Sequence, residues 1–344
     1  MKNLLGRFSS MRSGVPVLLG ILLAATAAGA VDGNTRIRLA TLAPKDSSFH
    51  KSLMTMGEKW RTATGGSLTL TIYTDGSQGG EADMVRRMRA GQLQAALLSG
   101  PGLSQIDDSI TGLQLMPMIF RSLDELDYVR DRLRPMLERR FAEKGFILLF
   151  LGDAGWVRFF SKKPATLPAD FKRMKMFVWS GDTHSADIMK EIGINAVPLE
   201  QADVFLGLQN GLIESVPTIP IYALTGQFYN PAPHMVELNW VPLTGAAVIS
   251  KKAWDAMPAS QHAALLKAAA EAGEAIKERS RTESVESVDA MKKRGLKVQT
   301  LTPAQISEWE KFAEVVYPKI RGKAVRADMF DEVQRLLQEY RSKK

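Results

Sequence analysis

The sequence predicts an α/β protein of two lobes, and three observations predict it. Residues 37–98 alternate strand-like and helix-like segments in the order β-α-β-α-β, the pattern of a mostly parallel sheet with covering helices. Residues 146–151 read FILLFL, a continuous apolar run of the kind found in strands buried on both faces. The 344 residues suffice for two domains of roughly 150 residues each, yet no internal repeat, low-complexity linker or Pro/Gly/Ser-rich hinge divides them. A chain that crosses more than once between two α/β lobes gives this picture.

The elements follow in order. Residues 37–43 (IRLATLA) are apolar with polar interruptions and read as a strand, and 47–63 read as a helix. Residues 68–73 (LTLTIY) place Thr between apolar residues and end in the turn Asp75-Gly76. Within 81–93, Met84, Val85 and Met88 fall at helical spacing, and 94–98 form a short apolar strand. Ser122 and Glu125 make a capping box that opens a helix toward Lys144, with a break expected at Pro135 and Gly145 closing it. Strands are expected at 157–161, 175–179, 212–216, 235–238 and 246–250, and helices at 183–192 and 202–210 with 195–198 as their connection. From 259 to 294 the chain is rich in Ala, Glu and Lys and reads as one long helix. Thr302-Pro303-x-Gln305 starts another, with Thr as cap, Pro at the first helical position and Gln completing the box. Residues 325–340 are a last amphipathic helix.

Composition narrows the class. With 45% hydrophobic and 24% charged residues the chain is globular, not collagen-like, low-complexity or disordered. Residues 1–30 hold Lys2, Arg7 and Arg12 and no acid, so the remainder carries 42 basic against 37 acidic residues, a charge of +5. No long basic run or aromatic-basic stripe accompanies that charge, and nucleic acid is not an expected partner. The absence of cysteine excludes disulfide scaffolds, Cys-ligated zinc, iron–sulfur clusters and thiol catalysis. The three bases precede the apolar core VPVLLGILLAA (15–25), and Ala28-Gly29-Ala30 supplies a small-x-small cleavage site. Residues 1–30 therefore read as a signal peptide, with cleavage near Val31 and export to the periplasm. The apolar core is shorter than the ~20 residues a membrane span needs.

Catalytic and cofactor motifs are missing. There is no G-x-S-x-G elbow, P-loop or G-x-G-x-x-G, and Gly100-Pro101-Gly102 is a turn. His50, His184, His234 and His262 are too dispersed for a metal site, so the expectation is a protein that is not an enzyme and holds neither cofactor nor metal. Aromatic residues are concentrated instead. Trp156-Val157-Arg158-Phe159-Phe160 is followed by Phe177-Val178-Trp179, then by Tyr222, Phe228, Tyr229 and Trp240. Phe160 and Phe228 read as core. Trp179 and Trp240, beside Ser180-Gly181 and close to Pro242, read equally well as cleft lining. An Arg among aromatics offers bidentate carboxylate recognition.

This order of segments resembles the extracytoplasmic substrate-binding proteins of tripartite ATP-independent periplasmic (TRAP) transporters, the C4-dicarboxylate-binding type. The resemblance runs over nearly all of 37–340. It is carried by Gly65-Gly66-Ser67-Leu68-Thr69-Leu70, by Gly79-Gly80-Glu81-x-x-Met84 with Gly91-x-Leu93-x-Ala95, and by Leu115-Met116-Pro117-Met118-Ile119-Phe120. Pro168-Ala169-Asp170-Phe171-Lys172-x-Met174-Lys175, Asp203-Val204-Phe205-x-x-Leu208-Gln209-x-Gly211 and Gln227-Phe228-Tyr229 complete it. The resemblance implies a periplasmic-binding-protein-like fold: two α/β lobes joined by crossing strands and a long helix, with the ligand cleft between lobes. It further implies residues 31–155 plus about 243–258 in one lobe, 156–242 in the other, and helices from about 259 to 344 spanning both. Such a protein captures an organic acid and delivers it to TRAP membrane permease subunits driven by an ion gradient. The alternative is a sensor component that hands its ligand to a signalling or lipoprotein partner. Whether the chain is a monomer or a homodimer stays open.

The departures from the family pattern set the expectations for the site. The position of the family's carboxylate-pairing Arg is Phe177, and the second family Arg aligns with Val157 or Arg158. Because strand side chains alternate, an offset of one residue would turn Arg158 out of the cleft. Ser99 stands where many members have an acid, Thr218 lies in a segment that has lost the family's polar contacts, and Trp240 replaces a His. A monocarboxylate or partly apolar acid is thus expected rather than a C4-dicarboxylate. Arg158 is the expected carboxylate partner, Ser99 and Thr218 the hydrogen-bond donors, and Phe177, Trp179, Trp240 and Trp156 the aromatic surfaces.

Overall fold

A computed structural model of the chain describes residues 35–343; the expected signal segment at 1–30 lies outside them. The first lobe begins with β1 (Thr35–Thr41), α1 (Ser48–Ala63), β2 (Leu68–Tyr73), α2 (Glu81–Arg89), β3 (Ala95–Ser99) and α3 (Gly100–Ser104). A long helix α4 (Leu123–Glu143) leads into β4 (Phe146–Trp156). The chain then passes to β5 (Arg158–Ser161), α5 (Pro168–Lys172), β6 (Lys175–Trp179), α6 (Thr183–Glu191), β7 (Asn195–Leu199), α7 (Val204–Asn210), β8 (Ser215–Thr218), α8 (Pro220–Thr225) and β9 (His234–Val236). It returns through β10 (Pro242–Ser250) and α9 (Lys251–Asp255) and ends with α10 (Ala259–Lys292), β11 (Lys297–Gln299), α11 (Pro303–Ile320) and α12 (Ala327–Ser342).

Two mixed sheets result. One has the order β2-β1-β3-β10-β4, the other β11-β9-β5-β8-β6-β7. The neighbours joined by helical crossovers run parallel, as β1 does with β2 and β3; β10 in one sheet and β5 in the other run antiparallel to both of their neighbours, and the edge strand β11 runs parallel to β9. The chain crosses at Val157 and returns at Val241, and the two crossings are tied by the Val157 N–H donating to the Val241 carbonyl at 2.9 Å. The sheets and the cleft between them are the two-lobed α/β fold expected.

Local chemistry explains most boundaries. The Thr302–Gln305 box that opens α11 is complete in both directions. At α4 the Ser122 hydroxyl accepts from the Glu125 N–H, but the Glu125 carboxylate turns to the Arg121 N–H instead of the cap's own. Pro135 does not break α4, contrary to expectation. The buried row Leu126, Val129, Leu133, Leu137 and Phe141 holds the helix straight through the lost hydrogen bond. Two strands escaped the sequence reading, β7 and β11, and both are edge strands. β7 is largely exposed and carries Pro198, so it has neither an apolar run nor clean alternation.

The 34-residue α10 lies along β4 and α1 of the first lobe and reaches α8 of the second. Its approach to β4 depends on Gly273, where a Cβ would lie 2.7 Å from the Phe150 ring. An ion-pair knot fixes the same interface. Asp153 of β4, whose side chain is fully buried, receives Arg281 of α10 at 2.6 Å and has Arg130 of α4 at 3.6 Å. Asp127 of α4 completes the set, 2.7 Å from Arg281 and 2.8 Å from Arg130.

Candidate functional site: an aromatic cavity between the lobes

The main cavity opens between the two sheets and encloses about 1070 Å³ of atom-free space, its open side included. Each wall comes from a different part of the fold. β5 and the crossing residue before it supply Phe159 and Val157, and β6 supplies Met176, Phe177, Val178 and Trp179. Helices α6 and α11 contribute Ile188 and Met189, and Trp309 and Phe312, while Thr218, Tyr222 and Trp240 come from the β8 end, α8 and the return crossing. The first lobe closes the cavity with Pro101, Gln114, Leu115 and Pro117.

Its aromatic residues fall into two contacting groups, one around Trp309 and one of Phe177 with Trp179. Trp309 stacks on Phe159 at 5.3 Å between centroids and meets Trp240 edge-on at 5.4 Å. Phe177 meets Trp179 edge-on at 4.8 Å. These separations fall in the favourable range for aromatic pairs. The Trp309 indole N–H is held by the Thr166 carbonyl at 2.9 Å, which fixes the ring's tilt.

Trp179 separates this space from two smaller ones that it also lines. A second cavity of about 590 Å³ reaches Ser99, Glu81, Asp153 and Tyr222. A third, about 320 Å³, lies toward Gly181, Asp182, Gln105 and Glu200. Bridges join the lobes on this side. Gln201 donates to the Leu42 carbonyl at 3.3 Å, Gln105 donates to the Gly181 carbonyl at 3.5 Å, and His184 Nε2 lies 3.2 Å from Asp108 Oδ1.

The charged groups of the cleft are acids. Glu81 accepts from the Ser99 N–H and hydroxyl, each at 2.6 Å, and from the Gly102 N–H at 3.0 Å. Burial nevertheless pushes its carboxyl above the ordinary 4.5; those hydrogen bonds oppose the rise and the Asp182 charge adds to it. Asp182 caps α6, accepting from the Ser185 N–H at 3.0 Å, and burial raises it as well. Burial also raises the Tyr222 phenol, with Glu81 and Asp75 adding to the shift. Among the described residues, no Arg, Lys or His lines any of the three cavities.

A raised carboxyl gives stability that is complete below the unfolded-state pKa and lost as pH rises through the folded one. The stability of the protein relative to a Glu81→Gln variant is therefore expected to fall as pH is raised from about 4.5 toward neutrality. Urea unfolding of both at pH 5 and pH 7.5 checks this; a difference that does not change with pH would contradict it.

The residues expected at the site separate in the structure. Phe177, Trp179, Thr218 and Trp240 line the main cavity. Ser99 lines the second, with its hydroxyl engaged by Glu81. Trp156 is buried opposite Pro242 in the crossing and lines none of the three. Arg158 lines none either; Val157 does, and the charge acting on Arg158 is Glu237. This is the one-residue offset that strand alternation makes decisive. Phe160 and Phe228 are core. Sequence reasoning missed Glu81, Asp182, Phe171, Trp309 and Phe312 as lining residues. The Trp309–Phe312 pair, three apart just after a strong cap, was the available signal.

Two lobes with a solute-sized cavity between them, lined from both sides and bridged at one edge, define a solute-binding protein. Residues 39–323 match the family described as bacterial extracellular solute-binding protein, family 7 (DctP), and the chain belongs to it. It is 23% identical over 314 residues to the C4-dicarboxylate-binding periplasmic protein DctP of Rhodobacter capsulatus, covering 88% of this chain and 93% of that one. Its fold matches that of the sugar acid binding protein of Advenella mimigardefordensis solved with galactonate, with a TM-score of 0.83, 17% identity, and coverage of 89% and 99%. It also matches a TRAP periplasmic solute-binding protein of Sulfurospirillum deleyianum with bound succinate, with a TM-score of 0.80, 22% identity, and coverage of 88% and 99%.

Proposed function

We propose that the chain is exported to the periplasm by its signal segment, captures a small organic solute between its lobes, and passes it to an ion-gradient-driven TRAP permease. The solute has a large apolar body, aromatic or alkyl, and at most one carboxylate, in place of the succinate or sugar acids held by its structural neighbours. The observation that carries this reading is the wall itself: Phe177 stands where the resemblance places a carboxylate-pairing Arg, and Trp179, Trp240, Phe159, Trp309 and Phe312 line the same cavity. Such surface gains about 25 cal/mol per Å² of apolar area removed from water, a return that a compact dicarboxylate cannot draw on. Binding energy then stabilises the closed arrangement over an open one.

Calorimetric titration of the exported chain tests this with 4-phenylbutanoate, 4-phenylbutanamide and succinate. At least one phenyl compound is expected to bind tenfold or more tighter than succinate, and Trp179→Ala is expected to lose tenfold or more of that affinity. Tight succinate binding that Trp179→Ala leaves unchanged would contradict the reading.

A further inference from the structure

The second inference rests on that reading and concerns the polar end of the solute. We infer that the cleft is built for a solute without negative charge, whose polar end donates hydrogen bonds, such as a neutral amide or a protonated amine. The main cavity and the two spaces beyond Trp179 contain Glu81, Asp153, Asp182 and Glu200 and no basic side chain. Asp153 is neutralised by Arg281. Glu81, Asp182 and Glu200 have no cation in the linings to offset them.

The helix N-termini nearest the cleft are capped from within the chain. Three helices of eight residues or more, α1, α2 and α6, place cap or first-turn residues in the linings, and helix N-termini attract anions. At α1 the Ser47 hydroxyl caps the helix, accepting from the His50 N–H at 3.4 Å. The other two are held by carboxylates. The α6 terminus is capped by the Asp182 carboxylate itself. At α2 the Glu200 carboxylate packs against the cap residue Gly80, where a Cβ would lie 2.8 Å from Glu200 Oε2. A carboxylate entering this space would give up its water for neutral donors beside Glu81 and Asp182, which hydrogen bonds satisfy but no lining cation offsets, and that is costly. An amide or amine meets the opposite case. Thr218, Tyr222 and Trp240 line the main cavity with side-chain polar atoms that have no protein partner among the described residues, so they can serve a neutral acceptor. Asp182 lines the main cavity and can accept from an N–H, and aromatic rings such as the neighbouring Trp179 favour a cation over an anion.

The test uses three compounds that differ only in the end group: 4-phenylbutanoate, 4-phenylbutanamide and 4-phenylbutylamine, titrated into the exported chain at pH 7.5. The amide or the amine is expected to bind at least tenfold tighter than the carboxylate. In Asp182→Asn, which keeps a good helix cap, the amine is expected to weaken severalfold relative to the carboxylate. A carboxylate that binds as tightly as the other two overturns this inference and leaves the apolar-bodied solute standing. None of the three binding, whether or not succinate does, overturns the proposed solute class and this inference with it.

Discussion

Replacing Asp153 with alanine is expected to cost about 3–5 kcal/mol of stability, the cost of breaking a buried ion pair from one side. The carboxylate is fully buried, and Arg281 and Arg130 converge on it from two helices. It also accepts from the Gly155 N–H at 3.1 Å, within the stretch that leads to the crossing between lobes. Without it, the two guanidinium groups are left with Asp127 and, for Arg130, the exposed Asp131 at 3.2 Å, and the seam of α10, α4 and β4 loses its buried counter-charge. Asp127 shows how strongly the group is coupled: its partial burial acts to raise its carboxyl, yet Arg281 and Arg130 hold it below the usual range. The urea midpoint reads the loss directly, and Asp153→Asn, which keeps the shape and can still accept from Gly155, is expected to lose less. A change under about 1 kcal/mol for Asp153→Ala would mean that the knot behaves like an exposed pair.

Trp309→Ala is expected to be comparably damaging, at about 3–5 kcal/mol, the range for removing a large aromatic side chain from a core. The ring is 1% exposed and touches Phe159, Phe171, Trp240 and Phe312. The substitution also takes away a wall of the main cavity, so affinity for phenyl-bodied solutes should fall along with stability. Trp309→Phe separates the two effects. It keeps a ring in the stack and loses the hydrogen bond to Thr166, worth about 1 kcal/mol, together with part of the indole's packing. If Trp309→Ala unfolded at the wild-type midpoint, α11 would not be part of the second lobe's core.

The fold was legible where chemistry is local. The Thr302-Pro303-x-Gln305 start of α11, the apolar β4 and the alternation of β2 could each be read from a handful of adjacent residues. What could not be read depends on distant partners. β4 continues to Trp156 and β10 begins at Pro242 because the two pair across the crossing, although Gly152, Asp153 and Gly155 carry no strand signal of their own. β7 and β11 are strands because a neighbour accepts them as edges.

The same division holds for the site. The aromatic residues Phe177, Trp179 and Trp240 could be picked out because they are dense in a region where the resemblance leads one to look for charge. Arg158 could not be placed, since one step along a strand decides which face it takes. Glu81 sits in a glycine motif that gives no hint of its burial, and Trp309 lies in a helix that reaches the cavity from more than sixty residues beyond any other lining residue. No spacing rule anticipates such a contribution.

A crystal structure of the exported chain grown with 4-phenylbutanamide tests the central claim most directly. The account predicts the phenyl ring between Phe177, Trp179 and Trp240, with the Gln105 and Gln201 bridges between the lobes formed. A ring ordered outside this cavity, or a solute held through Arg158, would contradict it.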